Sequence, residues 1–318
     1  MRTTRSRRSS RASKGCSAED CSAAQAGPVR RLKITDQLRG FLFVAPALVL
    51  LVLVLGFPAI AAGLQSLNLM WVDQPAFSLA AYSQLADDPA FSRAALNTAM
   101  FVVATVAFHL LAGLGLALLL NMELRFKWFF RVAALLPWTV PDVVAGLVWR
   151  FMVDPLAGFV NALAIALHLT NEAIDWLGDP FLARLCLVVA EGWRAYPFIM
   201  LILLAGLQAI PRAQYEAAEI DGASRWQSFI HVTLPNLRTM LIIALVLDTI
   251  WECRLFGMVF SLTGGGPGDA TQTLPLLVYR QNFEFFNTAY SAAIAVVLAL
   301  AMFAIAVPYL RMTMKQQA

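Results

Sequence analysis

Charged side chains are scarce in this chain: Asp, Glu, Lys and Arg make up 14% of 318 residues, while 59% are hydrophobic. A soluble domain carries about 25% charged residues. With a mean hydropathy of +0.67, a water-solvated globular fold is excluded, and an all-α fold with one helical membrane domain is expected. Histidine is scarcer still. His109, His168 and His231 are scattered and make no metal-ligand spacing; His109 reads as a satisfied packing residue, and no metal is expected. The four cysteines, Cys16, Cys21, Cys186 and Cys253, also lack paired metal spacing. Two lie in a polar segment and two in apolar runs, where cysteine acts as a small hydrophobe, so no disulfide is assigned. Clustered nucleophiles, metal ligands and paired catalytic acids near an interface are lacking as well, which speaks against an integral membrane enzyme.

What the chain has in abundance is apolar runs. Six are long enough to cross a bilayer: Gly40 to Leu64, Leu96 to Leu120, Val132 to Met152, Leu182 to Leu207, Met240 to Phe260, and Ala289 to Leu310. Together they define a six-span domain over residues 39–311, preceded by a tail over 1–38 and followed by a short one over 312–318. The first tail is rich in Arg, Ser and Ala without an apolar core, so it reads as disordered, basic and cytoplasmic. A basic segment before a span acts as a topology determinant, and no nucleic-acid partner is expected. The apolar stretch that follows is too long for a cleaved signal peptide and suits an uncleaved first span. Between the third and fourth runs, Asp154 to Pro180 contains Leu163, Ile165 and Leu167. These predict a surface helix; Pro155, Gly158, Asn161 and His168 leave too short an apolar run for a seventh span.

Basic residues give the orientation. Ten Lys and Arg precede or include Arg39, three lie between Asn121 and Arg131, three between Ala209 and Arg238, and two after Leu310. The opposite loops hold only Arg93 and Arg280, with acids such as Asp73, Asp87, Asp88, Asp154 and Asp179. The positive-inside rule therefore predicts that both termini and the 209–238 loop are cytoplasmic.

That loop carries the most specific motif. Pro211 fits a first helical position, Arg212 to Ile220 has no breaker, and Asp221-Gly222 offers residues that tolerate positive φ. Ser224 and Gln227 have the form of a capping box, which predicts a second short helix from Arg225 that ends before Pro235. The result is a polar elbow. Its middle is bare, through Ala217, Ala218, Gly222 and Ala223, and acidic, through Glu216, Glu219 and Asp221, so another protein's backbone can come close. Here the chain resembles the membrane subunits of binding-protein-dependent ABC importers. Their signature reads Glu-Ala-Ala, three residues, Gly, nine residues, Ile, one residue, Leu-Pro; it is matched from Glu216 to Leu234-Pro235, with Val232 in place of Ile.

The resemblance covers about residues 40–310 and is similar to the maltose and glycerol-phosphate branch. It implies a coupling helix at Glu216, Ala217, Ala218, Asp221, Gly222, Leu234 and Pro235, docked on an ATPase subunit. It also implies a second permease in a heterodimer, two ATPase subunits, and a periplasmic or lipid-anchored solute-binding protein. The location implied is the cell inner membrane. The mechanism implied is alternating access, with a mono- or oligosaccharide as solute. A second family-like stretch, Leu262-Thr263-Gly264-Gly265-Gly266-Pro267-Gly268, reads as a flexible outer turn. It is not a phosphate loop, because no Gly-Lys-Ser/Thr follows to reach phosphate and Mg²⁺. No cofactor is expected in this chain; ATP and Mg²⁺ belong to partner subunits.

Charges inside the spans are the remaining signal, because each costs at least roughly 2.5 to 3.5 kcal/mol in lipid. Glu191 and Arg194, with Trp193 between them, lie in the fourth run; Asp248, Glu252 and Arg254, with Trp251, lie in the fifth. Asp248 and Glu252 share a helix face at i, i+4. Carboxylates, an Arg and aromatic planes suit a polyhydroxylated solute, which makes Glu191, Trp193, Arg194, Asp248, Trp251 and Glu252 candidates for the solute path. A Glu191 to Arg194 pair, or contact with a partner subunit, is the alternative role. Buried carboxylates also leave open a proton-coupled secondary transporter.

Overall fold

The computed structural model describes residues 34–71, 75–122 and 125–317, all of whose regular elements are helical. The basic tail up to residue 33 and the outer-loop acid Asp73 lie outside the described residues. In chain order the helices are α1 (Ile34–Leu51), α2 (Phe57–Ser66), α3 (Ala80–Asp87), α4 (Pro89–Asn121), α5 (Lys127–Leu135), α6 (Asp142–Met152) and α7 (Phe159–Ala166). They continue as α8 (Pro180–Gln208), α9 (Arg212–Ile220), α10 (Arg225–Ser228), α11 (Leu234–Glu252), α12 (Gly257–Leu262), α13 (Leu274–Tyr279) and α14 (Thr288–Gln317). The chain divides into two compact units at Pro58. In the first, one π turn at Val52–Gly56 ends the regular winding of α1.

Two helices in the second unit start by the same device. Asp88 precedes Pro89 at the start of α4, and Asp179 precedes Pro180 at the start of α8. Each carboxylate accepts from the backbone amides that open the helix, at 2.8 Å from Ala90 and at 2.9 Å from both Phe181 and Leu182. Proline in the first turn loses no hydrogen bond, since that donor has no helical partner. With 33 residues, α4 is about 50 Å long at 1.5 Å per residue. It exceeds the expected second span at its N-terminal end. α4 and α8 make the most extensive helix pair, and glycine sets their closeness. A Cβ on Gly192 would lie 2.5 Å from the Phe108 ring, and one on Gly113 would lie 3.0 Å from the Met200 backbone nitrogen. Small residues at such crossings let membrane helices pack without a hydrophobic driving force. α11 packs on both, and around this trio the apolar core fills with Ala117, Leu120, Ile199, Met200, Leu203 and Leu237.

Among the described residues five helices are long and apolar enough to cross a membrane, six where a bent pair is counted as one span. That pair corrects the expected third span. Instead of one helix over Val132–Met152, the segment runs as Lys127–Thr139 and Asp142–Met152, bent by 94°. Pro137 and Pro141 lie at the bend. Each removes a backbone donor, and Pro141 also drives its predecessor Val140 into extended backbone, with φ of −79° and ψ of 126°, while a hydropathy average runs over both.

The fifth span is also displaced. A continuous helical stretch runs from Arg225 to Glu252, so the second short helix does not end before Pro235 and the span does not reach Phe260. A π turn over Phe229–Thr233 widens the helix ahead of Pro235, which relieves the ring's clash with the preceding turn. Asn236 Nδ2 donates to the Val232 carbonyl at 2.7 Å, satisfying an acceptor in the widened turn. Beyond Glu252 the apolar run continues because Leu255, Met258 and Val259 are buried against α6 and α8 in the short helix α12 and the turn before it. The segment rejected as a span carries only α7, eight residues long.

The glycine-rich turn is held in place rather than loose. Arg280 donates to the Gly264 carbonyl at 2.6 Å and to the side chains of Gln272 and Asp269. Asn97 Nδ2 of α4 donates to the carbonyls of Asp269 (2.9 Å) and Gln272 (3.1 Å), and Arg184 Nε of α8 to that of Ala270 (3.0 Å). The glycines are needed for shape: Gly264, Gly265 and Gly268 have φ of +61°, +89° and +55°, which disfavour any Cβ.

Candidate functional site

Two regions gather the residues singled out by sequence. At one end of the bundle, α9 spans Arg212–Ile220, with Pro211 as the residue just before it rather than its first helical position. Gly222 has φ of +77°, and a Cβ there would meet nothing within 4 Å. Its positive φ turns the chain. Ser224 then opens α10 with both arms of the capping box: its hydroxyl accepts from Gln227 N at 3.3 Å, and Gln227 Oε1 accepts from Ser224 N at 2.7 Å. Glu216, Ala217, Asp221, Gly222, Leu234 and Pro235 are exposed, and Ala218 is half-buried. Ile220 and Trp226 are 87% and 68% exposed. A concavity of about 990 Å³ adjoins the elbow, lined by Leu119 and Met122 at the end of α4 and by Tyr215, Glu219 and Trp226. Exposed apolar groups beside small residues and acids make a surface fitted to protein contact.

The second region lies inside the bundle. Glu191, Arg194, Asp248 and Glu252 are 0%, 8%, 2% and 2% exposed. Arg194 binds the Glu191 carboxylate through two nitrogens, with Nε to Oε2 at 3.1 Å, so the pairing anticipated as an alternative is present. Asp248 meets His109 of α4: Nδ1 lies 3.0 Å from Oδ2 and 3.2 Å from Oδ1, and Nε2 lies 3.3 Å from the Glu191 carbonyl. A carbonyl only accepts, so Nε2 carries a hydrogen. Both oxygens of Glu252 are buried without a hydrogen-bond partner among the described residues. The Thr105 hydroxyl beside it donates its one proton to the Phe101 carbonyl at 2.6 Å. His109, Asp248 and Glu252 offer atoms that all lie within 4.8 Å of one another. Sequence reasoning set His109 aside because the histidines are scattered along the chain; its only signal was being an ionisable side chain in an apolar run.

The tryptophans do not share that burial. Trp193 and Trp251 are 38% and 47% exposed. Trp193 packs edge-on against Trp149, with ring centres 6.1 Å apart. Trp251 faces Phe198 at 6.1 Å, Phe198 stacks on Trp138 at 6.0 Å, and the Arg254 guanidinium lies 5.4 Å from the Trp251 ring centre. Trp138, Trp149 and Phe198 join these planes through tertiary packing alone; their positions in the sequence gave no sign of it.

Residues 109–312 match the family described as binding-protein-dependent transport system inner membrane component. The chain is 34% identical over 288 residues to the sulfoquinovosyl glycerol transport system permease protein SmoG of Agrobacterium fabrum, covering 89% of this chain and 92% of that one. It is 32% identical over 284 residues to the trehalose/maltose transport system permease protein MalF of Thermococcus litoralis, covering 88% and 95%. In fold it is similar to a chain of a bacterial ABC transporter involved in the import of the acidic polysaccharide alginate, with a TM-score of 0.76 and 23% identity over 88% of this chain and 98% of that one. With the elbow folded as its motif requires and the helices arranged as in such a transporter, the chain belongs to the inner membrane components of binding-protein-dependent transport systems.

Proposed function

We propose that the chain is the permease subunit of an ATP-driven importer for a sugar-type solute. The observation that carries this reading is the exposed elbow from Glu216 to Pro235, a helix, a glycine turn and a capped second helix continuous with a membrane-spanning one. A rigid element of this kind can pass a push from a soluble motor into the bundle. Two ATPase subunits bind ATP and Mg²⁺, and one of them docks on Glu216, Ala217, Ala218, Asp221, Gly222, Leu234 and Pro235; the chain itself holds neither and performs no catalysis. A second, non-identical permease completes the path, and a periplasmic or lipid-anchored binding protein delivers the solute. Both termini and the elbow face the cytoplasm, as the excess of Lys and Arg in those segments supports. The sugars in the names of SmoG and MalF support a mono- or oligosaccharide.

Within the path, Trp193 and Trp251 offer half-exposed planes to the apolar face of a sugar ring, and Arg254 offers donors to its hydroxyls. Glu191, Arg194, Asp248 and Glu252 stand behind these planes and fix the helices that carry them. The test is uptake of labelled mono- and oligosaccharides by proteoliposomes containing the assembled complex. Uptake should require ATP and the loaded binding protein, and Trp251→Ala should raise the half-saturating solute concentration roughly tenfold, the loss of one aromatic contact of about 1 to 1.5 kcal/mol. Uptake that persists without ATPase subunits and follows a proton gradient would instead establish a secondary transporter.

A further inference from the structure

Counting protons in the buried cluster leaves a charge unaccounted for. Arg194 neutralises Glu191. His109 Nε2 must carry a hydrogen toward the Glu191 carbonyl, at 3.3 Å, and that leaves Nδ1 facing the Asp248 carboxylate at 3.0 Å. A neutral imidazole would then present a lone pair to an ionised carboxylate, so something positive must stand between them. A proton would suffice for this pair. It would do nothing for Glu252, whose two oxygens are both buried and unpartnered, and which offers an atom within 4.8 Å of the other two groups. An isolated carboxylate in a dry interior needs a cation or a proton of its own.

The geometry points to a divalent transition-metal ion, Zn²⁺ as first candidate, bound by His109 Nδ1, Asp248 and Glu252, and tying α4 to α11. One imidazole nitrogen and two carboxylates form a ligand set that zinc accepts. Bonds of 2.0 to 2.2 Å place ligand atoms about 3.3 Å apart around a tetrahedral centre, close to the His109 to Asp248 spacing. Glu252, whose atom lies no more than 4.8 Å from the other two, needs to close by up to roughly 1.5 Å to reach that tetrahedral spacing. The Glu191 carbonyl has the role of an outer partner: by accepting from Nε2 it fixes the ring and leaves Nδ1 free to coordinate. The cluster lies behind the proposed sugar-facing tryptophans, and this inference does not depend on the identity of the solute.

The experiment uses the full chain with its accompanying subunits in lipid nanodiscs, with any affinity tag removed. After dialysis against Zn²⁺ and removal of the excess, elemental analysis should find about one Zn²⁺ per chain, as expected for one closed site. Glu252→Gln and His109→Ala should fall to the background of a sample without the chain. Stripping with a strong chelator should lower the apparent melting temperature of the wild type and Zn²⁺ should restore it, while Glu252→Gln should respond to neither. Should the variants not assemble, stripped wild type reloaded with Co²⁺ serves instead, and visible d–d absorption of a nitrogen- and oxygen-ligated ion is expected. Wild type that retains no more Zn²⁺ than Glu252→Gln, or that gives no such absorption with Co²⁺, overturns the metal site and leaves the cluster closed by protons. ATP-driven sugar uptake by that same preparation would show that the functional reading stands while the metal site fails.

Discussion

His109 and Asp248 stand 139 positions apart in the chain and meet at 3.0 Å, Nδ1 to Oδ2, both buried in the bundle between α4 and α11. Removing one partner strands the other in a low-dielectric interior, at a cost of about 3 to 5 kcal/mol. Replacing both with apolar groups removes that penalty. His109→Leu and Asp248→Leu should therefore each lower the apparent melting temperature strongly, and the double variant should lose less than the sum. Apparent melting of the purified variants in detergent measures the coupling; strictly additive losses would mean that the contact is incidental.

Gly192 sets the distance between α4 and α8. A Cβ there would lie 2.5 Å from the Phe108 ring, so Gly192→Ala should cost about 1 to 3 kcal/mol by overpacking. Phe108→Ala in the same chain should recover much of that loss by making room. The check is the fraction of monodisperse protein after mild heating, compared among the two single variants and the double one.

Arg280 fastens the glycine-rich turn from below, through Gly264, Asp269 and Gln272. A hydrogen bond to a charged group contributes about 1.5 to 3 kcal/mol. Arg280→Ala should accordingly speed amide exchange in Gly264–Ala270 by roughly tenfold or more, with exchange in the centres of α4 and α8 unchanged. Hydrogen–deuterium exchange with peptide resolution reads this directly. An unaltered turn would mean that the bonds from Asn97 and Arg184 hold it alone.

At the elbow, Gly222 has φ of +77°, which proline cannot adopt, and Glu216 is exposed. Gly222→Pro and Glu216→Lys should leave the helices inserted and the protein abundant, and both should abolish stimulation of ATP hydrolysis by loaded binding protein together with uptake. ATPase rates of the reconstituted complex, with and without loaded binding protein, provide the measurement. Wild-type stimulation in both variants would remove the elbow from the coupling mechanism.

The elbow was the most legible part of the chain in the sequence. Its helix stop at Asp221-Gly222 and its capping box at Ser224 and Gln227 depend on backbone conformations set within three residues, so local chemistry decides them. The starts of α4 and α8 are local in the same way, as Asp-Pro pairs, although hydropathy alone marks only the apolar part of α4, from Leu96, and not the helix turns that precede it. The break in the third span was harder to read. Pro137 and Pro141 were visible, but an average over twenty residues cannot separate a straight span from two short helices. Nor could hydropathy place the fifth span, because Arg225, Gln227, His231, Asn236 and Arg238 interrupt the apolar residues of its first turns, and because the apolar residues Leu255, Met258 and Val259 after Glu252 are buried by α6 and α8.

By itself the sequence determined that this is a helical membrane protein with six apolar segments, an excess of Lys and Arg in alternate loops, and a helix–glycine–helix elbow. Each follows from solvation or from backbone conformation within a few residues. Only the tertiary structure decided which charges meet. Glu191 and Arg194 could pair along one helix, but His109 joins Asp248 because α4 and α11 come together across α8's shared interface, and the same packing leaves Glu252 without a hydrogen-bond partner among the described residues. The half-exposure of Trp193 and Trp251 was likewise decided there. Helical periodicity gives the face of a side chain, whereas the packing of neighbouring helices determines whether that face meets a partner, a cavity or lipid.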